Sequence, residues 1–183
     1  MIDPHTSKTI GYHLFFEPVG EVAQELQILI TKVAGEFNAL IFNPHVTLLA
    51  RIPEQLESED ILIEKTEKLA QLLPPITLSF GDLNAQDSYF KALYIEINEK
   101  EQMVEYHKKA SELFETPDEG IYFPHLSLLY GNYTEEQKTP ALQTIILPEQ
   151  KSFVADKVYL YKTDGETQNW KQVFECKLSG SDF

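Results

Sequence analysis

The segment Phe42-Asn43-Pro44-His45-Val46-Thr47-Leu48-Leu49 returns 80 residues later as Tyr122-Phe123-Pro124-His125-Leu126-Ser127-Leu128-Leu129. Proline, histidine and both leucines are identical in the ungapped match, and the aromatic, aliphatic and hydroxyl positions exchange like for like. An interval of nearly half of a 183-residue chain suggests two related halves. The pattern also restricts the backbone. In a strand, residues i and i+2 share a face, so His45 and Thr47 point one way while Val46 and Leu48 point into apolar packing. His125 and Ser127 stand in the same relation to Leu126 and Leu128. Pro44 and Pro124 mark the strand starts, where a missing N–H removes no ladder bond. If a pseudo-two-fold axis relates the halves, the two strands can lie side by side, each presenting an imidazole and a hydroxyl to a shared cleft.

The remaining periodicity alternates strands with helices. Residues 9–16 are β-rich and aromatic, and residues 21–37 place Val22, Leu26, Leu29, Val33 and Phe37 on one helical face. A short strand over 45–50 precedes a helix that Ser58 can cap and that stops near Leu73, before Pro74-Pro75. Residues 76–83 and 90–97 read as strands joined by the polar turn 84–88. A helix over 99–114, an acidic loop over 116–120 and a strand over 123–130 repeat the order. Thr134-Glu135-Glu136-Gln137 is a capping-box signature for a short helix ending near Leu142, just past Pro140. Strands over 153–162 and 170–178 close the chain, joined by a polar loop around Asp164-Gly165. No linker is long enough to separate independent domains. The expectation is one two-lobed α+β domain over residues 1–183, with two pseudo-symmetric antiparallel sheets, helices outside and a central cleft.

Two imidazoles facing one cleft suit phosphoester chemistry. An unperturbed histidine titrates near 6.5, so one ring can be neutral and the other protonated at cellular pH. The neutral ring takes a proton from water, and the protonated ring gives one to the leaving oxygen. The hydroxyls of Thr47 and Ser127 can bind the non-bridging phosphate oxygens and stabilise the charge that builds there. This arrangement requires no metal or other cofactor. One Pro-His-aliphatic-hydroxyl segment alone would say little; the pair carries the signal.

Charge narrows the substrate. There are 29 acidic and 15 basic residues, a formal net charge of −14, and one arginine, Arg51. Such a surface repels polyanions, so long nucleic acid and anionic membranes are not expected partners, whereas one small phosphate in a local pocket is compatible with it. The single cysteine, Cys176, excludes an intramolecular disulfide and a Cys-rich zinc site. It alternates with polar neighbours between Phe174 and Leu178 and reads as a small buried apolar residue. No apolar run reaches 18 residues, and the N-terminus lacks the basic and apolar regions of a signal peptide. A cytoplasmic monomer is expected.

At the two motifs the chain resembles the two-histidine phosphoesterase superfamily, marked by paired His-x-Thr/Ser segments, and within it the plant and fungal cyclic phosphodiesterase branch. The Phe-x-Pro-His-Val-Thr run and Pro124-His125-Leu126-Ser127-Leu128-Leu129-Tyr130 carry the likeness, with a weaker echo in Tyr161-Lys162-Thr163-Asp164 and Trp170. The resemblance implies a bilobal fold whose cleft lies between two antiparallel sheets. It also implies hydrolysis of nucleoside 2′,3′-cyclic phosphates to 2′-phosphates, or of ADP-ribose 1″,2″-cyclic phosphate, a tRNA-splicing by-product, to the 1″-phosphate. By correspondence His45 and His125 are the catalytic pair, Thr47 and Ser127 bind phosphate, Tyr130 lines the pocket, and Phe15 stands where plant members carry a base-stacking tryptophan. In the family's usual reading the second histidine activates water and the first protonates the leaving oxygen; motif order alone does not fix those roles. Plant members often have extra cysteines that can pair, and this chain has only Cys176.

The other histidines read differently. His5 belongs to the terminus and His107 to a helix surface beside Lys108 and Lys109, while His13 can face either core or cleft. Lys91 could reach a phosphate but reads as solvent-facing, and Trp170 as a core aromatic. Two rivals remain: an RNA 2′–5′ ligase-like or RNA-end phosphodiesterase of the same superfamily, for which a basic rim would be expected, and a nucleotide-binding module without turnover.

Overall fold

The computed structural model describes residues 7–53, 58–116 and 120–181. Its elements follow in the order β1 (Tyr12–Phe16), α1 (Gly20–Phe37), β2 (Val46–Ile52), α2 (Glu59–Leu72), β3 (Ile76–Ala85), β4 (Leu93–Ile97), α3 (Lys100–Leu113), β5 (His125–Leu129), α4 (Glu135–Thr144), β6 (Ser152–Ala155), β7 (Lys157–Lys162) and β8 (Lys171–Lys177). The strands form an eight-stranded sheet, ordered β6-β3-β4-β5-β2-β1-β7-β8, and every pair is antiparallel. The expected α+β class is therefore present.

The two halves of that order mirror each other about the β5/β2 seam, where Val46 stands opposite Leu126. The two lobes' sheets are thus joined edge to edge. Curvature follows from connectivity. Ala155 ends β6 and Lys157 begins β7, yet β6 lies at one edge of the sheet and β7 next to the opposite edge. Two Cα–Cα steps span less than about 8 Å, so the sheet must curl until its ends nearly meet. The alternation over residues 153–162 predicts one strand. The chain instead changes partner at Asp156: β6 pairs with β3, and β7 pairs with β1 and β8.

The helices fasten the seam from outside. α1 buries Val22, Leu26, Leu29, Ile30, Val33 and Ala34 and packs on β5, while α3 packs on β2. Each half thus covers the central strand of the other. α1 ends at Asn38 in the left-handed conformation, a common helix stop. Ser58 begins α2 with extended geometry but its side chain makes no capping bond, whereas Thr134 and Gln137 form the full capping box expected of α4, which runs on to Thr144. Among the described residues no helix is long and apolar enough to cross a membrane.

His107 corrects an expectation. Its Nδ1 lies 2.8 Å from the Leu48 carbonyl, and its ring stacks on Tyr122 at 4.2 Å. The Tyr122 hydroxyl in turn donates to the Thr47 carbonyl at 2.7 Å. Instead of decorating a surface, His107 ties α3 to the strand carrying the first motif. Cys176 is half-buried, and burial raises its thiol pKa. His5 and residues 117–119 of the acidic loop lie outside the described residues.

Candidate active site

The register at the seam assembles the site. Val46 opposes Leu126; carried one residue to either side, the antiparallel register sets His45 across from Ser127 and Thr47 across from His125. Residues directly opposite share a face about 5 Å apart, and diagonal ones lie about 7–8 Å apart. The four motif side chains therefore form a quadrilateral with the histidines on one diagonal. Val46, Leu48, Leu126 and Leu128 are fully buried on the other face.

Both imidazoles are held the same way. His45 Nδ1 lies 2.7 Å from the Asn43 carbonyl, and His125 Nδ1 lies 2.9 Å from the Phe123 carbonyl. A carbonyl only accepts, so each Nδ1 carries its hydrogen and each Nε2 is left for proton transfer. The Tyr130 hydroxyl lies 3.3 Å from His45 Nε2. Tyr130 stacks on Phe42 at 3.8 Å and 10°, with burial raising its phenol pKa. It does more than line the pocket: it links the second motif to the first histidine.

In the empty site burial outweighs the division into one charged and one neutral ring expected of unperturbed histidines. Desolvation pushes both His45 and His125 down to about 4, so both are neutral at cellular pH in the free protein. The two differ in surroundings. His125 feels the positive charge of Lys91, which lowers it further, while the His45 shift comes from burial, opposed by its hydrogen bond to the Asn43 carbonyl. Lys91 is half-buried in the 3₁₀ turn Tyr89–Lys91, and desolvation lowers its own pKa. That turn is fixed to the site, because Ser127 Oγ donates to the Phe90 carbonyl at 2.7 Å and Gly131 N–H to the Tyr89 carbonyl at 2.8 Å. Lys91 is therefore an inward cation next to the second motif. The Ser127 hydroxyl hydrogen is engaged by Phe90 and must turn to meet a phosphate.

Aromatic rings close the first-motif side. Phe15 stands opposite Thr47 in the β1/β2 register, and its ring centroid lies 4.1 Å from that of His45. With Tyr159 and Tyr161 it forms a small cluster beside the main core, and Trp170 packs against both. Trp170 lies 5.8 Å from Phe15, 6.0 Å from His45 and 6.4 Å from Phe90 and Tyr130. Expected from the sequence as a core aromatic, Trp170 stands instead at the wall of the site, close after the Lys-Thr-Asp segment. Its indole donates to Thr9 Oγ1 at 3.0 Å, and Thr9 Oγ1 donates to the Thr163 carbonyl. His13, left open in the sequence, is buried here: it stacks on Trp170 at 6.1 Å, is hydrogen-bonded to Thr163, and burial holds its pKa near 3.

A cavity of about 130 Å³ adjoins His45 and Phe15. A larger one, about 310 Å³, lies between α1 and the segment after α4, lined by residues such as Ile28, Lys32 and Ile146. It includes no motif residue, so size does not locate the chemistry.

Comparison with known proteins shows the family and the fold. The model of a family described as cyclic phosphodiesterase-like protein matches residues 10–178. A cyclic phosphodiesterase of Arabidopsis thaliana is 24% identical over 175 residues, covering 92% of this chain and 95% of that protein. Among solved structures, E. coli LigT in its apo form superposes with a TM-score of 0.64 at 13% identity, covering 95% of this chain and 99% of LigT. A crystal structure described as a phosphoesterase gives 0.65 at 14% identity, covering 93% and 99%.

Proposed function

The chain belongs to the cyclic phosphodiesterase-like family and is a phosphodiesterase, and from that premise we propose that it hydrolyses small cyclic phosphates without a metal. The substrates would be nucleoside 2′,3′-cyclic phosphates, opened to 2′-phosphates, or ADP-ribose 1″,2″-cyclic phosphate, opened to the 1″-phosphate. The observation that carries the reading is the matched pair of histidines across the β2/β5 seam, each with Nδ1 tied to a carbonyl and Nε2 left for proton transfer.

In this mechanism His125 is the base. Lys91 beside it favours its neutral form, and its Nε2 takes a proton from the water that attacks phosphorus. His45 is the acid. It is neutral in the empty site and takes up a proton when the substrate's anionic phosphate arrives, because an opposite charge favours the charged form. The Tyr130 hydroxyl can then turn from donor to acceptor. As the new P–O bond forms, the ester P–O bond breaks, and His45 passes its proton to the departing oxygen. Thr47, Ser127 and Lys91 hold the non-bridging oxygens as negative charge accumulates.

The protein is read as one two-lobed domain over residues 1–183 that acts as a cytoplasmic monomer on small nucleotides of RNA metabolism. The charge of −14 supports a small substrate over long nucleic acid. So does E. coli LigT, which has been crystallised with 3′-AMP and with phosphate. The test is hydrolysis of the four nucleoside 2′,3′-cyclic phosphates and ADP-ribose 1″,2″-cyclic phosphate in EDTA, with products read by phosphorus NMR. His45→Ala and His125→Ala should each cut turnover by about 10²–10⁴ with the fold intact. A folded wild-type protein that turns over none of the five would replace this reading with RNA-end chemistry or binding alone.

A further inference from the structure

The cavity beside His45 has an acceptor-rich polar end that the hydrolytic step does not use. Glu17, Asn43, Tyr161 and Thr167 line it, with Phe15 and Trp170 among its ring walls. A volume of about 130 Å³ is well below the roughly 300–1,000 Å³ of drug-sized sites, so it suits one planar heterocycle.

Three features of that end point to a ligand. The Glu17 carboxyl is half-buried and hydrogen-bonded to the Tyr161 phenol, with no lysine or arginine paired to it among the described residues. An ionised carboxylate offers about four acceptor positions, so most of its capacity is unspent. Thr167 Oγ1 is buried without a hydrogen-bond partner, a condition that costs free energy until a partner arrives. Finally, β1 carries both Phe15 and, one residue past its end, Glu17, so the ring wall and the carboxylate are set by one short segment.

We propose that this pocket reads the hydrogen-bonding edge of the substrate's nucleobase, and that Glu17 selects bases presenting N–H donors, guanine above all. Guanine offers two adjacent donors, the ring N1–H and the exocyclic amine, which match the two oxygens of one carboxylate. Adenine and cytosine offer an exocyclic amine. Uracil offers one N–H between two carbonyls, whose oxygens would face a carboxylate and be repelled. Because Glu17 touches neither histidine's reacting nitrogen in this scheme, it is a specificity determinant and not a catalytic residue. The inference rests on the phosphodiesterase reading only in taking the ligand to be a nucleotide.

The experiment measures kcat/KM for the four nucleoside 2′,3′-cyclic phosphates, and separately the affinity for guanosine and uridine 2′-monophosphates by calorimetry, in the wild type and Glu17→Gln. The expected wild-type order places guanosine first and uridine last, about tenfold or more apart in both assays. A tenfold gap lies within what one bidentate base contact discriminates. Glu17→Gln, equal in size but offering an N–H where the carboxylate only accepts, should remove the guanosine advantage and leave uridine unchanged or improved. Equal wild-type preference for the two bases, no binding of either, or an unaltered order in Glu17→Gln would overturn the proposal. If calorimetry shows the preference and its loss while no cyclic phosphate is turned over, the pocket assignment stands and the hydrolytic reading falls.

Discussion

The Tyr130 hydroxyl, from the second half of the chain, lies 3.3 Å from Nε2 of His45, in the first. Since His45 Nδ1 carries its hydrogen toward the Asn43 carbonyl, Nε2 is an acceptor in the free protein and Tyr130 is its donor. A hydrogen bond to the neutral form of a base lowers its pKa. Tyr130→Phe should therefore raise the pKa of His45 from about 4 and leave that of His125 nearly unchanged. Proton NMR titration of the imidazole resonances measures both, and an unmoved His45 would show that the phenol exerts no such hold.

The two motif hydroxyls should separate when mutated. Ser127 Oγ donates to the Phe90 carbonyl, so Ser127→Ala leaves that acceptor unpaired and loosens the turn carrying Lys91. The expected cost is about 1–3 kcal/mol of stability, together with a loss of activity. Thr47 is half-buried at the strand opposite His125, and Thr47→Val keeps its shape. It should cost activity, about tenfold or more, at little change in Tm. Chemical denaturation alongside kcat/KM distinguishes the two; equal stability losses would contradict the difference in their bonding.

How much of this site is written in the sequence depends on the range of the contacts. His45, Thr47, His125 and Ser127 are legible because two-residue alternation is a local property, and the repeat supplies a partner for each. Glu17, Tyr161 and Trp170 are not, since they meet through the pairing of β1 with β7 and of β7 with β8, about 150 residues from Phe15 in the first case. Likewise, alternation through residues 153–162 cannot reveal that the chain switches sheet ends at Asp156, because both segments have the pattern of a strand. His107 misled for a related reason. Its lysine neighbours indicate an exposed helix, but its own ring reaches the Leu48 carbonyl across the seam.

Lys91 should act through charge. Its Coulombic effect lowers the pKa of His125, so Lys91→Met should raise it. The acid limb of the kcat/KM profile reports the base in the free enzyme and should move to higher pH by the same amount. KM for a cyclic phosphate should also rise, about tenfold, with a weaker dependence on salt. A profile that stays in place would remove Lys91 from the base's surroundings.

Acid should weaken the fold through its buried histidines. His13 is held near 3, and His45 and His125 near 4, all by burial first, against about 6.5 in the unfolded chain. Above pH 6.5 these rings are neutral in both states and contribute no pH dependence. Between about 6.5 and 4 the unfolded chain binds protons that the folded one refuses, so unfolding becomes easier as pH falls. The expected loss between pH 7 and 5 is of the order of a few kcal/mol for the three together, seen as a falling Tm. Inorganic phosphate should oppose it, because an anion between His45 and His125 favours their protonated forms. His13 lies outside that pair, so His13→Gln should flatten part of the pH slope without altering the protection phosphate gives. Phosphate protection that persists unchanged in His45→Ala/His125→Ala would place the anion elsewhere.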